Sequence, residues 1–575
     1  MFISEAVLYN ISWQAFERLL ARTLLALDYE GVRLVGQSGD GGADILATRH
    51  GKRWLIQVKR WAARVGLATI DKTLQALRVY DADVPLVVSL GGFDAAVLVH
   101  QRRLLAGGIP LQLWDKNRLL EIGRTIAARD RRRAPVTPRD YQQDALSAVQ
   151  DAFSAGRGRA LIVLATGLGK TFVAAEWFRR TSASNRSFRL LVLAHTNELV
   201  YQLERAFWPI ISDDQDTVVW NGIEKPEPGR LSSAKLVFAC LSTVFEYLQS
   251  HAELPPFAGV LVDECHHAGA PSYLSVLREI RAGQPGGPFL LGLTATPWRA
   301  DDVSVLEIFG DPVISVDIVT GLRRGFLTNV DYRMFTDNID WSQLANLRGG
   351  QLTPRRINRT LFIDQWDDGV IDALQNVWSE QERPRAIVFC GTIDHAMTVR
   401  DRVNARRFCH AEAIFSMSAG GFKMSAIERN RVLANFQDNR THLICVVDVF
   451  NEGIDVPDVN IIVFQRVTHS RRIFVQQLGR GLRLSPDKDK VIVLDFVSDI
   501  RRFAAGLDLK AKISKPDADS AVRVRLPHSV TFQRLGRPDD RGENFITEWI
   551  EDVAALETAG EDASVLRFPP LLDSL

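Results

Sequence analysis

Cysteine is scarce in this chain, and long apolar runs are missing. The five cysteines among the 575 residues are scattered with no CxxC pair, which argues against a disulfide framework or a zinc knuckle and fits a reducing compartment. No apolar run is long enough to span a bilayer, and the first residues lack the charged start, apolar core and cleavage site of a signal peptide. We therefore expect a cytoplasmic protein with no membrane partner.

An excess of charge of either sign is also missing. The 70 Lys and Arg residues nearly balance the 69 Asp and Glu residues, so the formal net charge of +1 neither supports nor excludes a nucleic-acid partner. A hydrophobic content of 46% and a charged content of 24% are ordinary for globular domains. The length predicts several domains.

One stretch has the form of a phosphate-binding loop. The apolar run from Ala160 to Ala165 predicts a buried parallel strand, and the residues after it have helical spacing. The turn between them would close backbone N–H groups around phosphates at a helix N-terminus. Lys170 would reach the β- and γ-phosphates of a nucleotide, and the Thr171 hydroxyl would ligate Mg²⁺. Leu164 stands where the general pattern has its first glycine. The predicted nucleotide-binding residues of the loop are Thr166, Gly167, Leu168, Gly169, Lys170 and Thr171.

Two carboxylates end a later apolar run, Val260 to Val262. Asp263 would hold Mg²⁺ as the second metal anchor of an ATPase, and Glu264 would polarise the water that attacks the γ-phosphate. No further ligand stands at metal spacing from His266 and His267, so we interpret these histidines as links between the nucleotide site and neighbouring motifs.

The order of motifs resembles superfamily 2 helicases of the restriction-type DEAD/DEAH-like branch. The resemblance covers roughly residues 135–500 and implies two RecA-like domains with ATP between them and a nucleic-acid strand lying across both. It implies that Gln142 reads adenine, that Gly453 and Asp455 contribute to the nucleotide site, and that Arg480 and Arg483 act as arginine fingers. Val447 stands where this family often has Thr. Five segments carry the resemblance: Ala165–Thr171, Asp263–His266, Thr294–Thr296, Gly453–Asp455 and Gln476–Arg483.

The first part of the chain predicts a capped helix followed by a β-hairpin. Ser12 is expected to cap a helix from Trp13 to about Leu27, with Glu17 within or beside its apolar stripe. Residues 39–60 predict a hairpin that turns at His50-Gly51. The register then sets Asp44 opposite Gln57, with Lys59 further along the same face. The stripe consists of Trp13, Phe16, Leu20 and Leu24, and the apolar face of the hairpin pairs Ala43, Ile45 and Ala47 with Val58, Ile56 and Trp54.

A carboxylate, an amide and an amine on one strand face are typical of a metal-dependent phosphodiesterase. Asp44 would bind Mg²⁺ with help from Glu17 and a backbone carbonyl near Val58, and Lys59 would position or activate the attacking water. The segments Phe16-Glu17, Gly41–Asp44 and Gln57–Lys59 resemble the Mrr-like endonucleases of the PD-(D/E)xK superfamily, over roughly residues 1–125. The wider superfamily often has Glu where Gln57 stands. Two other interpretations stay open: a solvated hairpin face, and a degenerate nuclease kept as a DNA-binding module.

These patterns predict an α/β protein in which a restriction-endonuclease-like domain precedes two RecA-like parallel-sheet domains and a small C-terminal extension. The expected function is an ATP-dependent DNA helicase or translocase coupled to a Mg²⁺-dependent DNA endonuclease in restriction or antiphage defence. Its expected partner is double-stranded DNA tracked on one strand, and subunits of a defence system are further candidates. A DNA-repair helicase–nuclease, an ATP-gated sensor with an inactive nuclease-like module, and an RNA substrate stay open. The expected boundaries are 1–125 for the nuclease, 126–138 for a linker, 139–328 and 329–500 for the RecA-like domains, and 501–575 for an extension of unknown role.

Overall fold

The structure, a computed structural model, forms two compact units. The first comprises residues 1–162, 169–315 and 425–438, and the second comprises 163–168, 316–424 and 439–575. Among the described residues, no helix is long and apolar enough to cross a membrane. The residues that the structure describes are 3–36, 42–60, 62–130, 137–211, 217–250, 253–295, 305–336, 364–415, 424–447, 458–465, 481–485, 488–497 and 531–534.

The N-terminal part of the first unit is built on a five-stranded sheet with the order β1-β2-β3-β4-β5. The first three strands are antiparallel, and β3, β4 and β5 are parallel. The strands are β1 (Glu30–Leu34), β2 (Ile45–Arg49), β3 (Lys52–Lys59), β4 (Val84–Ser89) and β5 (Gln112–Asp115). The helices are α1 (Glu5–Asn10), α2 (Trp13–Ala26), α3 (Leu67–Val79), α4 (Ala95–Ala106) and α5 (Lys116–Asp130).

The hairpin between β2 and β3 has the predicted register. Ile45 faces Ile56, and Arg49 faces Lys52 across a turn in which His50 and Gly51 both have positive φ, 52° and 72°. A two-residue turn with positive φ at both positions matches the twist of the flanking strands. Ala43 was expected on the same face as Ile45, but it packs in the cluster on the opposite face. The regular pleat begins only at Ile45, so strict alternation does not extend back to Ala43.

The predicted first long helix is also present. Ser12 caps α2, its Oγ accepting from the Ala15 N–H at 3.1 Å. Phe16, Leu20 and Leu24 are buried as predicted, but Trp13 is 53% exposed, so its place in the buried stripe was wrong. Helical side chains lean toward the N-terminus, and Trp13 at the first position therefore extends beyond the surface that Phe16 covers.

A second sheet of seven strands follows in the chain, with the order β12-β6-β11-β10-β7-β9-β8. Its central strands are parallel and buried on both faces, which is why they read as continuous apolar runs. The strands are β6 (Arg159–Leu164), β7 (Leu190–Ala194), β8 (Thr217–Trp220), β9 (Leu236–Cys240), β10 (Gly259–Val262), β11 (Phe289–Thr294) and β12 (Pro312–Val316). The helices are α6 (Asp140–Ser154), α7 (Lys170–Ser184), α8 (Asn197–Phe207), α9 (Pro228–Ser233), α10 (Leu241–Ser250), α11 (Pro271–Glu279) and α12 (Val305–Phe309).

The third sheet belongs to the second unit and has the order β15-β16-β14-β17-β18-β13-β19. Its last strand comes from the C-terminal extension and pairs parallel with β13. The strands are β13 (Asn329–Thr336), β14 (Ala386–Cys390), β15 (Ala411–Ile414), β16 (Leu443–Val446), β17 (Ile461–Gln465), β18 (Lys490–Val497) and β19 (Thr531–Arg534). The remaining helices are α13 (Ile318–Arg323), α14 (Asp364–Trp378), α15 (Ile393–Arg406) and α16 (Ala426–Gln437), of which α16 belongs to the first unit.

Candidate nuclease and nucleotide sites

Two buried carboxylates converge at the N-terminal sheet. Glu17 on α2 is 9% exposed, and Asp44, just before β2, is 7% exposed. A β-carbon added to Gly36 would lie 3.3 Å from Glu17 Oε2 and 3.4 Å from Asp44 Oδ1, so both carboxylates face the same point. The second oxygen of Asp44 accepts from the Val58 N–H at 2.5 Å, which fixes the side chain to β3. Two oxygen ligands held in this way fit a hard divalent cation such as Mg²⁺.

No place in the described part of the chain gathers three or more His, Cys, Asp or Glu side chains at metal-binding distance. A cation held by Glu17 and Asp44 would therefore take its other ligands from oxygens of another kind. Mg²⁺ suits such a pair, because it commonly binds one or two carboxylates and keeps several waters.

Gln57 and Lys59 lie together on β3. Both polar atoms of the Gln57 amide have hydrogen-bond partners when Nε2 donates to Thr73 Oγ1 at 2.5 Å and to the Thr69 carbonyl at 3.2 Å. In that orientation Oε1 accepts from Lys59 Nζ at 3.2 Å. Helix α3, which carries Thr69 and Thr73, thus holds the amide, and the amide holds the ammonium group. This network explains why an amide, with both donor and acceptor atoms, suits the position.

Arg18, one residue after Glu17, was not singled out from the sequence. Its side chain is 8% exposed, its Nε lies 2.7 Å from Glu204 Oε2 on α8, and its Nη1 pairs with Glu224. The guanidinium also lies 5.6 Å from the centre of the Tyr201 ring. The network fixes α2, and with it Glu17, to α8. Arg18 lies on the side of α2 away from the stripe of Phe16, Leu20 and Leu24, and its partners are more than 180 residues away, so the sequence offered no signal for this network.

In the nucleotide site, Lys170 and Glu264 lie side by side. Lys170 Nζ is 3.3 Å from Glu264 Oε1, and the other oxygen of Glu264 is 3.3 Å from His266 Nδ1. His266 Nδ1 in turn lies 3.2 Å from Thr294 Oγ1. Glu264 has a left-handed backbone with φ 47°. The His266 contacts join the end of β10 to the end of β11, which agrees with its predicted linking role.

The two neighbouring carboxylates have opposite electrostatic environments. Burial, together with the charge of Glu264, raises the pKa of Asp263 to about 7. Burial also acts to raise the pKa of Glu264, but the nearby Lys170 ammonium outweighs it and holds that pKa well below its ordinary value. Glu264 is thus the carboxylate that stays charged, as a group that orients water requires.

The loop that precedes α7 has the backbone expected of a phosphate loop. Gly167 and Gly169 have φ values of 94° and 84°, which favour glycine, and α7 begins at Lys170. A β-carbon on Gly169 would lie 2.7 Å from Gln142 Nε2. Gln142 Oε1 accepts from the Arg139 N–H at 3.0 Å, so the start of α6 holds this side chain against the loop. Leu168 N donates to Ala165 O at 3.1 Å.

The C-terminal motifs are described in part. The backbone carbonyl of Arg483 accepts from Thr328 Oγ1 at 2.9 Å, and Lys488 Nζ donates to the Gly481 carbonyl at 2.9 Å. The arginine-finger role of Arg483 stays a prediction. Other predicted motif residues lie outside the described residues, namely Thr296, Gly453, Asp455, Gln476, Gly479 and Arg480.

Three family models match successive parts of the chain. Residues 8–122 match a restriction endonuclease model, residues 135–299 match the type III restriction enzyme res subunit, and residues 369–485 match the helicase conserved C-terminal domain. The matches follow the same order as the three sheets.

Known proteins with similar sequences include helicases and restriction subunits. The chain is 27% identical over 422 residues to the putative mitochondrial ATP-dependent helicase irc3 of Schizosaccharomyces pombe, covering 70% of this chain and 63% of that protein. It is 26% identical over 390 residues to the type I restriction enzyme EcoAI endonuclease subunit of Escherichia coli, covering 64% of this chain and 47% of that subunit. The chain thus spans less than two thirds of the length of both relatives.

A solved structure shares the fold. The ATP-dependent type ISP restriction-modification enzyme LlaBIII, bound to DNA, aligns with a TM-score of 0.52 at 17% identity, over 98% of this chain and 43% of that one. With the three family matches, this confirms the predicted α/β architecture and both resemblances. Residues 8–122 thus carry a restriction endonuclease domain, and residues 135–485 carry the two matched domains of a restriction-type superfamily 2 helicase.

Proposed function

We propose that the chain is an ATP-dependent DNA helicase or translocase coupled to a Mg²⁺-dependent DNA endonuclease, and that it acts in restriction in the cytoplasm. The observation that carries this proposal is the convergence of Glu17 and Asp44 in the unit that also holds the Lys170–Glu264 pair. The similarity to the EcoAI endonuclease subunit and to a DNA-bound restriction enzyme supports DNA as the substrate.

In the nuclease site, Glu17 and Asp44 would hold Mg²⁺. The bound ion would supply a polarised water and neutralise charge on the scissile phosphate. Lys59 would orient that water and stabilise the negative charge that develops on the phosphate. The 3.2 Å contact with Gln57 Oε1 sets the position of the Lys59 ammonium group, which limits the reorganisation needed during the reaction.

In the ATPase site, Lys170 would contact the β- and γ-phosphates, with Thr171 and Asp263 on the Mg²⁺ side. Glu264 lies 3.3 Å from Lys170, so a γ-phosphate held by Lys170 lies within reach of a water oriented by Glu264. Gln142 lies against the loop, where contact with adenine is expected. Arg480 and Arg483 would neutralise charge on the γ-phosphate.

Cleavage of plasmid DNA with Mg²⁺, with and without ATP, tests the proposal. Asp44→Asn keeps an oxygen that accepts from the Val58 N–H but removes the metal-binding charge, so cleavage should be lost while DNA-stimulated ATP hydrolysis persists. Lys170→Ala should abolish ATP hydrolysis and the ATP-dependent part of cleavage. Lys59→Ala should also lose cleavage, because the ammonium group that would orient the water is gone. Lys52→Ala is its control, because Lys52 lies exposed at the other end of the same strand.

The outcomes separate the candidate functions. Cleavage that is lost in Asp44→Asn and loses its ATP dependence in Lys170→Ala supports a coupled motor and nuclease. DNA-stimulated ATP hydrolysis without any cleavage would refute the nuclease and favour a sensor with a binding module. Cleavage restricted to forks and flaps would favour a repair role, and ATP hydrolysis stimulated only by RNA would refute the DNA substrate.

A further inference from the structure

Helix α16 occupies a place that its position in the sequence does not suggest. It lies inside the segment that matches the helicase C-terminal domain, between β15 and β16, which are neighbours in the third sheet. Its residues nevertheless belong to the first unit, where they pack on the nuclease domain. The buried cluster formed by Leu46, Leu55 and Tyr80 of the nuclease includes Ala434, with Ile427 packed against it.

The polar contacts of α16 centre on one arginine of β3. Arg53 is 1% exposed, its Nε lies 2.6 Å from Asp438 Oδ2, and its Nη1 donates to Asn435 Oδ1 at 2.9 Å. The same Nη1 donates to the Tyr80 carbonyl at 2.6 Å. Asp438 also accepts from Thr48 Oγ1 on β2 at 2.8 Å. A guanidinium held by this many acceptors in a fixed fork is geometrically specific.

Both ends of this contact lead directly to functional residues. Arg53 stands on β3 four residues before Gln57 and six before Lys59, in one continuous strand. On the other side, Asp438 is followed after four residues by β16, which runs into the segment 448–455 that contains Gly453 and Asp455. One continuous strand therefore links the Arg53 contact to Gln57 and Lys59, and four residues of chain link it to β16.

Some charges around α16 favour its packing on the nuclease domain, and others oppose it. Asp438 attracts Arg53, whereas Arg33, which donates from Nε to Gln437 Oε1 at 3.3 Å, lies near the like charges of Arg205 and Arg429. Burial, together with this repulsion, lowers the pKa of Arg33 to about 10. The contact surface of α16 thus combines the attraction between Arg53 and Asp438 with repulsion among three arginines.

We propose that Arg53 and Asp438 are positioning residues through which the motor controls the nuclease. When α16 packs on the nuclease domain, the contacts of Arg53 with Asp438 and Asn435 hold β3 in place. This sets the geometry of Gln57 and Lys59 at the far end of the strand. A nucleotide-dependent change in the helicase segment, passed along the four residues between Asp438 and β16, changes how α16 packs and thereby the rate of cleavage. The proposal rests on the proposed ATP-coupled nuclease function.

The test compares cleavage and ATP hydrolysis in the full chain for Asp438→Ala and Arg53→Lys. Cleavage with ATP should fall about tenfold or more, to the level seen without ATP, while DNA-stimulated ATP hydrolysis stays within about twofold. Because the two residues act through one contact, the double variant should lose no more than the worse single variant. Asp438→Glu should restore part of the ATP dependence.

Two further variants keep the test decisive. Thr48→Val removes one hydrogen bond to Asp438 at nearly constant volume, so it should weaken coupling even if Asp438→Ala fails to fold. Asp401→Ala is the matched control, since Asp401 also pairs with an arginine, at 2.6 Å, but lies 64% exposed on α15.

If the wild-type chain cuts DNA in an ATP-dependent way and both Thr48→Val and Asp438→Ala cut with unchanged ATP dependence, the coupling role is wrong. If the wild-type chain does not cut DNA at all, the proposed function itself fails. A second readout is amide exchange in residues 53–59, which should respond to a non-hydrolysable ATP analogue in the wild-type chain and not in Asp438→Ala.

Discussion

Replacing Arg18 by Met should destabilise the first unit in a strongly pH-dependent way. The guanidinium lies between Glu204 and Glu224, which are 4% and 7% exposed, and the side chain of Arg18 is itself 8% exposed. Met keeps most of the volume and removes the charge, so two carboxylates are left facing each other in a buried place. Breaking a buried ion pair from one side costs about 3–5 kcal/mol, because an uncompensated charge stays behind.

The direction of the pH dependence follows from Glu224. Burial raises the pKa of this carboxyl, the charge of Arg18 acts to lower it, and Glu204 acts to raise it. Without Arg18, the folded-state pKa rises further above the unfolded value of about 4.5. The folded variant then keeps a proton that the unfolded chain has lost. Its stability therefore falls as pH rises through that window, by up to about 1.4 kcal/mol per pH unit for each such carboxyl.

The measurement is native-state amide exchange of α2, which reports local opening without assuming that the whole chain unfolds in one step. The protection lost in Arg18→Met relative to wild type should be smaller at about pH 5 than at about pH 8. Adding Glu224→Gln to the variant should recover part of the loss at the higher pH. A loss of equal size at both pH values, or a larger one at low pH, would show that carboxylate repulsion is not the cause.

Three further changes have definite expected outcomes. Gly169→Ala forces φ 84° on a residue with a side chain and sets its methyl group 2.7 Å from Gln142 Nε2. Nucleotide affinity, measured by titration, should therefore fall at least about tenfold. Unchanged affinity would contradict the loop geometry. Phe16→Ala should cost about 3–5 kcal/mol of stability in native-state amide exchange of α2, against about 0.5 kcal/mol or less for the exposed Trp13→Ala. Equal costs would contradict the packing of α2. Gln57→Glu loses the donor to Thr69 O, so cleavage should need a higher Mg²⁺ concentration. Tighter Mg²⁺ binding with faster cleavage would refute the role given to the amide.

The local features could be predicted from the sequence because local rules determine them. A two-residue turn and a period of two fix the register of β2 and β3, and the serine cap fixes the start of α2. The alternation rule failed at Ala43, where the strand has not yet begun. The stripe rule failed at Trp13, whose side chain extends beyond the surface that Phe16 covers.

The long-range contacts could not be predicted in this way. The pattern of α16 indicates an amphipathic helix but does not state which sheet its apolar side covers, and its neighbours in sequence all belong to the third sheet. The acidic partners of Arg18 and Arg53 are separated from them by 186 or more residues, and an arginine in the sequence carries no information about so distant a partner. Only the folding of the chain brings these charges together.

The seating of α16 also has a consequence for the order in which the protein is made. Domains usually fold in turn from the N-terminus as the ribosome releases them. Here the nuclease core lacks Ala434, and Arg53 lacks its carboxylate, until the chain has been made as far as Asp438. A nascent chain that stops earlier already contains Glu17, Asp44 and Lys59 but not the helix that completes their domain. The architecture thus delays a finished nuclease until the ATPase loop and its Asp263-Glu264 pair have been synthesised.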